Sequence, residues 1–122
     1  MLEKYNKTID NNVYDITRNF SIRVVNLYKH LCDNNEFIMS KQLFRAGTSI
    51  GANVFEGKNA QSRPDFTNKM NIALKEATES AYWIDLLHAT HYLTDTEYDS
   101  IFNDCNKIIA VLTKIVKATK QL

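Results

Sequence analysis

Apolar residues recur every three or four positions along most of this chain, the period of a helix with one buried face. Over residues 10–33 the steps are Val13, Ile16, Phe20, Val24, Leu27 and Leu31, with a second row beside them through Val25, Tyr28 and Cys32. The polar run Asp33-Asn34-Asn35-Glu36 interrupts the pattern. Asn and Asp favour turns because their side chains bond nearby backbone. A second helix is predicted over residues 35–60, with Leu43, Gly47, Ile50, Val54 and Gly57 on one stripe. Phe37, Phe44, Gly51 and Phe55 form another stripe about 100° around it.

The third helix has a clear start. Ser62 suits the N-cap, Asp65 suits the positive first turn, and Pro64 sits where an N–H has no intrahelical partner. Its seam runs through Phe66, Met70, Ala73, Ala77, Ser80, Ile84, Leu87 and His91, which predicts a helix to residue 92. Thr94 and Glu97 form a capping box for a fourth helix reaching residue 120. Tyr98, Ile101, Cys105, Ile108, Leu112 and Ile115 make its seam. Its acids (Asp95, Glu97, Asp99, Asp104) come early and its lysines (Lys107, Lys114, Lys117, Lys120) late, an order that complements the helix dipole. Four long helices with short connectors predict an all-α fold. The expected architecture is an antiparallel up-down-up-down four-helix bundle forming one domain over residues 1–122.

Composition agrees. Three glycines and one proline are too few for the turns of an all-β protein. A chain of 122 residues buries enough surface to fold without metal or disulfide. The net charge of +1 excludes a global basic field for capturing nucleic acid. No run approaches the ~18 apolar residues of a membrane span, and the polar N-terminus lacks a signal peptide's apolar core. These features predict a cytoplasmic protein with no membrane partner. Cys32 and Cys105 fit no metal spacing and lie on helical stripes, so buried free thiols are expected.

All three glycines lie in "AGTSIGANVFEG", residues 46–57. A phosphate loop needs G-x-x-x-x-G-K-[ST] between a strand and a helix. Here five residues separate Gly51 from Gly57, Asn59 stands where the hydroxyl should be, and no strand precedes. Gly47-x-x-x-Gly51 on a helix fits better: each glycine costs ~1 kcal/mol there, which close approach of another backbone offsets. The ten residues from Ala46 to Phe55 carry no charge. That is nearly three turns, so the second helix is expected to be buried nearly all round, with another subunit covering the side that a monomer exposes. Phe44, Gly47, Thr48, Gly51, Ala52 and Phe55 are the residues assigned to this packing or subunit interface.

"SKQLFRAGTSIGANVFEGKNAQSRPDF" followed by "ALKEATESAYWIDLL" resembles the bacterial four-helix-bundle family encoded in part within intervening sequences of 23S ribosomal RNA genes. The matching residues are Gln42, Leu43, Arg45, Ala46, Ser49, Ile50, Ala52, Asn53, Glu56 and Gly57, then Ala73, Glu76, Glu79, Tyr82, Trp83 and Leu86. Val54 and Phe55 depart from the family's usual Ile-Ala. The resemblance implies a bundle assembled as a ring, commonly a homopentamer, with no established enzymatic activity. No cofactor is expected. A related branch, more basic than this chain, assists reverse transcriptases of diversity-generating retroelements and associates with nucleic acid.

Other chemistry is weaker. Asp85, His88 and His91 line one flank of the third helix, but a di-iron bundle needs Glu-x-x-His from two helices, so a polar helix end is the preferred reading. Glu56, Glu76 and Glu79 are expected to form salt bridges with Arg45, Lys58 or Lys75 rather than to do acid–base work. Lys41, Arg45, Lys58, Arg63 and Lys69 could contact RNA or DNA if repeated around a ring, against a preferred reading of solubilising charge. The expectation is a non-enzymatic homo-oligomer acting as an interaction scaffold, with an RNA- or DNA-binding accessory as the alternative.

Overall fold

The computed structural model describes residues 13–120, which form four helices: α1 (Tyr14–Asp33), α2 (Met39–Gly57), α3 (Arg63–Ala89) and α4 (Asp95–Lys120). Residues 10–12 of the predicted first helix lie outside the described residues. Contacts across helices fix the directions. Tyr28 meets Phe44 while Tyr14 meets Phe55, so α1 and α2 run oppositely. Arg45 reaches Glu76 and Lys69 reaches Glu56, so α2 and α3 do too. Cys105 bonds the Ala77 carbonyl while Tyr98 stacks on His88, which makes α4 antiparallel to α3. The up-down-up-down order follows from these pairs.

One apolar core runs the length of the bundle, from Val13, Phe20, Val24 and Leu31 through Leu43, Ile50 and Val54 to the α3 and α4 seams. The α3 seam is buried as predicted from Phe66 to Leu87. In α1 the sequence misplaces one residue. Thr17, not Ile16, enters the core, its hydroxyl donating to the Val13 carbonyl at 2.7 Å, while Ile16 is left 36% exposed. Near the end of α4, Val116 and Thr119 replace Ile115 in the core.

The helix ends explain the differences in boundaries. α1 closes with Asn35 at φ 63°, the Asn35 N–H on the Cys32 carbonyl and the Glu36 N–H on the Leu31 carbonyl. This paired closure is a Schellman turn. Glu36 then turns its buried carboxylate back, accepting from the Ile38 and Met39 N–H groups at 3.2 Å and from the Ser40 N–H at 2.6 Å. That is why α2 begins at Met39 rather than near residue 35. The predicted caps of α3 and α4 form: Ser62 Oγ accepts from the Asp65 N–H, and Thr94 and Glu97 bond each other's backbone N–H reciprocally.

α3 closes with a second Schellman turn. His91 lies at φ 69°, with the His91 N–H on the His88 carbonyl and the Tyr92 N–H on the Leu87 carbonyl. So His91 is a turn residue, exposed, and not the last residue of the seam. A β-carbon in this left-handed region costs roughly 1 kcal/mol. His91→Gly is therefore expected to stabilise the chain by about 1 kcal/mol, which urea unfolding measures.

Candidate subunit interface

The α2 glycines let α1 come close. A β-carbon at Gly47 would lie 2.8 Å from Val24 Cγ2; one at Gly51 would lie 3.0 Å from Ser21 Oγ and 3.3 Å from the Thr17 carbonyl oxygen. The close neighbour of Gly47 and Gly51 is thus α1 of the same chain, and these two residues serve bundle packing.

The remaining four assigned residues line α2 beside that crossing. Phe44 leans on Tyr28 with ring centroids 4.8 Å apart, and Phe55 on Tyr14 at 5.8 Å. Both stay open outward, Phe44 36% and Phe55 51% exposed. Between them Ala52 is exposed and Thr48 half-buried, its hydroxyl donating to the Phe44 carbonyl at 2.7 Å. Within one chain α2 is therefore not buried all round: an uncharged strip from Phe44 to Phe55, about 16 Å long at 1.5 Å per residue, is left facing outward. Lys58 edges it at the lower end, its Nζ 4.4 Å from the Tyr14 ring centre and 5.3 Å from that of Phe55. Tyr14 and Tyr28, which back the strip, escaped the sequence assignment. Tyr28 stands on the second α1 row, and steps of seven back from it reach Ser21 and then Tyr14.

On the opposite flank α2 is clamped to α3. Arg45 bonds Glu76 at 3.2 Å and also Glu79, and the Trp83 Nε1–H donates to Glu79 at 3.0 Å. The Trp83 bond first, and Arg45 with it, hold the Glu79 carboxyl below the usual glutamate range. A lowered folded value means that its contribution is whole above the usual range and lost as pH falls through the lowered one. Trp83 is the sole tryptophan. Its fluorescence is expected to change on acidification below the usual glutamate range, and Glu79→Gln is expected to remove that step.

The five basic residues do not gather. Lys41 and Lys58 stand at opposite ends of α2, some 25 Å apart. Arg45 is engaged by two glutamates, Lys69 by Glu56 at 3.0 Å, and Lys58 by two rings. Arg63 is exposed at the start of α3. Glu56, Glu76 and Glu79 are thus salt-bridge partners, as expected for Arg45, with Lys69 in place of Lys58 or Lys75 for Glu56.

Asp85, His88 and His91 do not converge either. His88 Nε2 pairs with Asp95 at 2.7 Å and its ring stacks on Tyr98 at 4.1 Å. Among the described residues no group of three or more His, Cys, Asp or Glu is placed to hold a metal ion. Cys105 is buried, and desolvation pushes its thiol up to about 12. Cys32 is only half-buried, contrary to expectation, because its row faces the α1 flank beside Tyr28 rather than the core. No helix among the described residues is long and apolar enough to cross a membrane.

Residues 9–114 match the model of the 23S rRNA-intervening sequence protein family. The chain belongs to that family. It is 54% identical to a crystallised protein of unknown function from the S23 ribosomal protein family of Bacteroides thetaiotaomicron. That match covers 86% of this chain and 98% of the other, with a TM-score of 0.85. No curated protein matches the chain at a significant level. The residues that carried the family resemblance now have places. Arg45, Glu76, Glu79 and Trp83 are the α2–α3 clamp. Asn53 bonds back to the Ser49 carbonyl at 2.8 Å and to its hydroxyl at 3.2 Å. Phe55, where this member departs from the family pattern, lies on the exposed strip.

Proposed function

We propose that this member of the 23S rRNA-intervening sequence protein family is a non-enzymatic module that assembles with copies of itself and serves as an interaction scaffold. One observation carries the reading: the exposed, uncharged strip on α2 between Phe44 and Phe55. A surface helix of a monomer spaces charges along its outer face, whereas an interface centre is depleted of charge and enriched in aromatics. A cytoplasmic setting suits its two free thiols. The RNA- or DNA-binding alternative draws less support, since the basic residues that would carry it are spread along the bundle and three of them are engaged within the chain.

Gel filtration at low and at high salt tests the reading. Apolar contact is not screened, so the assembly is expected to persist near ~1 M salt. Elution as a single chain at both salt levels would refute it. Binding to RNA at low salt, lost steeply as salt rises, would instead support the alternative.

A further inference from the structure

We infer that the bundle end formed by the α1–α2 and α3–α4 connections is a separate docking surface, at which two copies meet end to end about a two-fold axis. Each seats its Phe37 and Ile38 in a hollow of the other. The contact lies away from the α2 strip and does not depend on it.

The two connections share one end because the helices alternate in direction. The first is an apolar tip. Phe37 is 57% and Ile38 78% exposed, side by side, and Ile38 is the most exposed large apolar side chain among the described residues. The backbone beneath them is fixed. The Asn35 turn closes α1 before them. The buried Glu36 carboxylate holds the N–H groups of Ile38, Met39 and Ser40, while Ser40 Oγ donates to the Glu36 carbonyl at 2.7 Å. A tip held in this way gives up little conformational entropy on docking. The second connection is a hollow of about 540 Å³, lined by Ala89, His91, Tyr92, Leu93 and Asp95. The left-handed turn at His91 shapes its rim.

The charges at this end select the occupant. The exposed acids Asp33, Asp95 and Glu97 outnumber Lys41, so the end repels phosphate, whether on a membrane surface or in a nucleic acid. A second copy fits instead, because one end carries both halves of the contact. Asp33 and Lys41 flank the tip, and His91 and Asp95 flank the hollow. Lys41 facing Asp95 and Asp33 facing His91 are the complementary pairs.

The fold puts the halves where a two-fold axis can use them. α1 packs on α2, α2 on α3, α3 on α4, and α4 returns to α1. The two connections therefore span opposite edges of the end. An axis lying across the end between them turns each tip onto the other copy's hollow. Such an isologous contact makes both halves at once and closes at two copies. Its few side chains make a small interface of the weak class, so single chains pair only well above micromolar concentration.

The test uses the chain carrying Phe44→Glu and Phe55→Glu, in which the strip contributes nothing. Sedimentation equilibrium at ~1 mM is expected to show pairs and nothing larger. In that chain, Phe37→Ser with Ile38→Ser removes the tip, and Ala89→Arg fills the hollow. All three positions are exposed, so helical content should be unchanged by circular dichroism. Each change falls twice in a two-fold contact, about tenfold each time, so each variant is expected to pair about a hundredfold more weakly. An equal mixture of the two should pair more tightly than either alone, because one intact tip meets one intact hollow. If the Ala89→Arg chain pairs like its parent while the tip variant does not, the tip docks elsewhere and the inference falls. It falls also if the parent stays single at ~1 mM. Flotation of the parent with phosphatidylglycerol vesicles, lost in the tip variant, would assign the tip to a membrane and overturn it too. None of these results touches the strip, whose reading is decided by the wild-type chain at micromolar concentration.

Discussion

Replacing Phe44 and Phe55 together by glutamate is expected to weaken association by about a thousandfold and release single chains at micromolar concentration. Each buried aromatic at an interface centre contributes some 2 kcal/mol, and two such losses multiply to that factor. A carboxylate pressed into an apolar contact adds its own desolvation cost. Both side chains are exposed in the single chain, so the fold should survive: unfolding in urea should shift by less than about 1 kcal/mol for a chain already monomeric. Sedimentation of the variant beside the wild type makes the measurement. An unchanged sedimentation coefficient would show that the strip holds nothing together.

Gly47→Leu should be the most damaging change on the bundle side. Its β-carbon alone would stand 2.8 Å from Val24 Cγ2 and 3.0 Å from Cγ1, and a β-branched neighbour inside a packed core has nowhere to go. Overpacking of this kind costs about 3 kcal/mol, or roughly 10 °C in Tm for a chain of this size. Gly57→Ala is the contrast. Its β-carbon would meet the Met70 Cε at 2.5 Å, a terminal methyl on a flexible chain that can swing aside. That variant should stay within about 0.5 kcal/mol of wild type. Both are best measured by urea unfolding in the monomeric strip variant, where association adds nothing to apparent stability.

These glycines show how far the sequence could be read. Small residues at helical spacing announced a close crossing, and the crossing is there. What spacing could not say was whose backbone came close. The answer lay in the α1 row of Thr17, Ser21 and Val24, which faces the glycines only once the two helices are antiparallel and in register. The uncharged run from Ala46 to Phe55 carried two messages at once. Half of it is bundle core, as Ile50 and Val54 are, and half is the outward strip.

Helix bodies and caps were legible because they depend on near neighbours. The α3 seam and the Ser62 and Thr94 caps all formed where periodicity and capping chemistry put them. The closing turns were harder. Asn35 and His91 take left-handed positions that glycine usually fills, and this chain has placed every glycine in or at the end of α2. Without that signal, His91 reads as seam or as metal ligand when it is a turn. The loose seam between α1 and α4, where Arg23 reaches across to Asp104, was not legible at all. It follows from Ile16 missing the core by one position and from Arg23 bracing the seam, both properties of the packed bundle.

Static light scattering on the wild-type chain at micromolar concentration tests the central claim most directly. The account predicts a single species with a mass several times that of one chain, unchanged by salt. A species with the mass of one chain would contradict it.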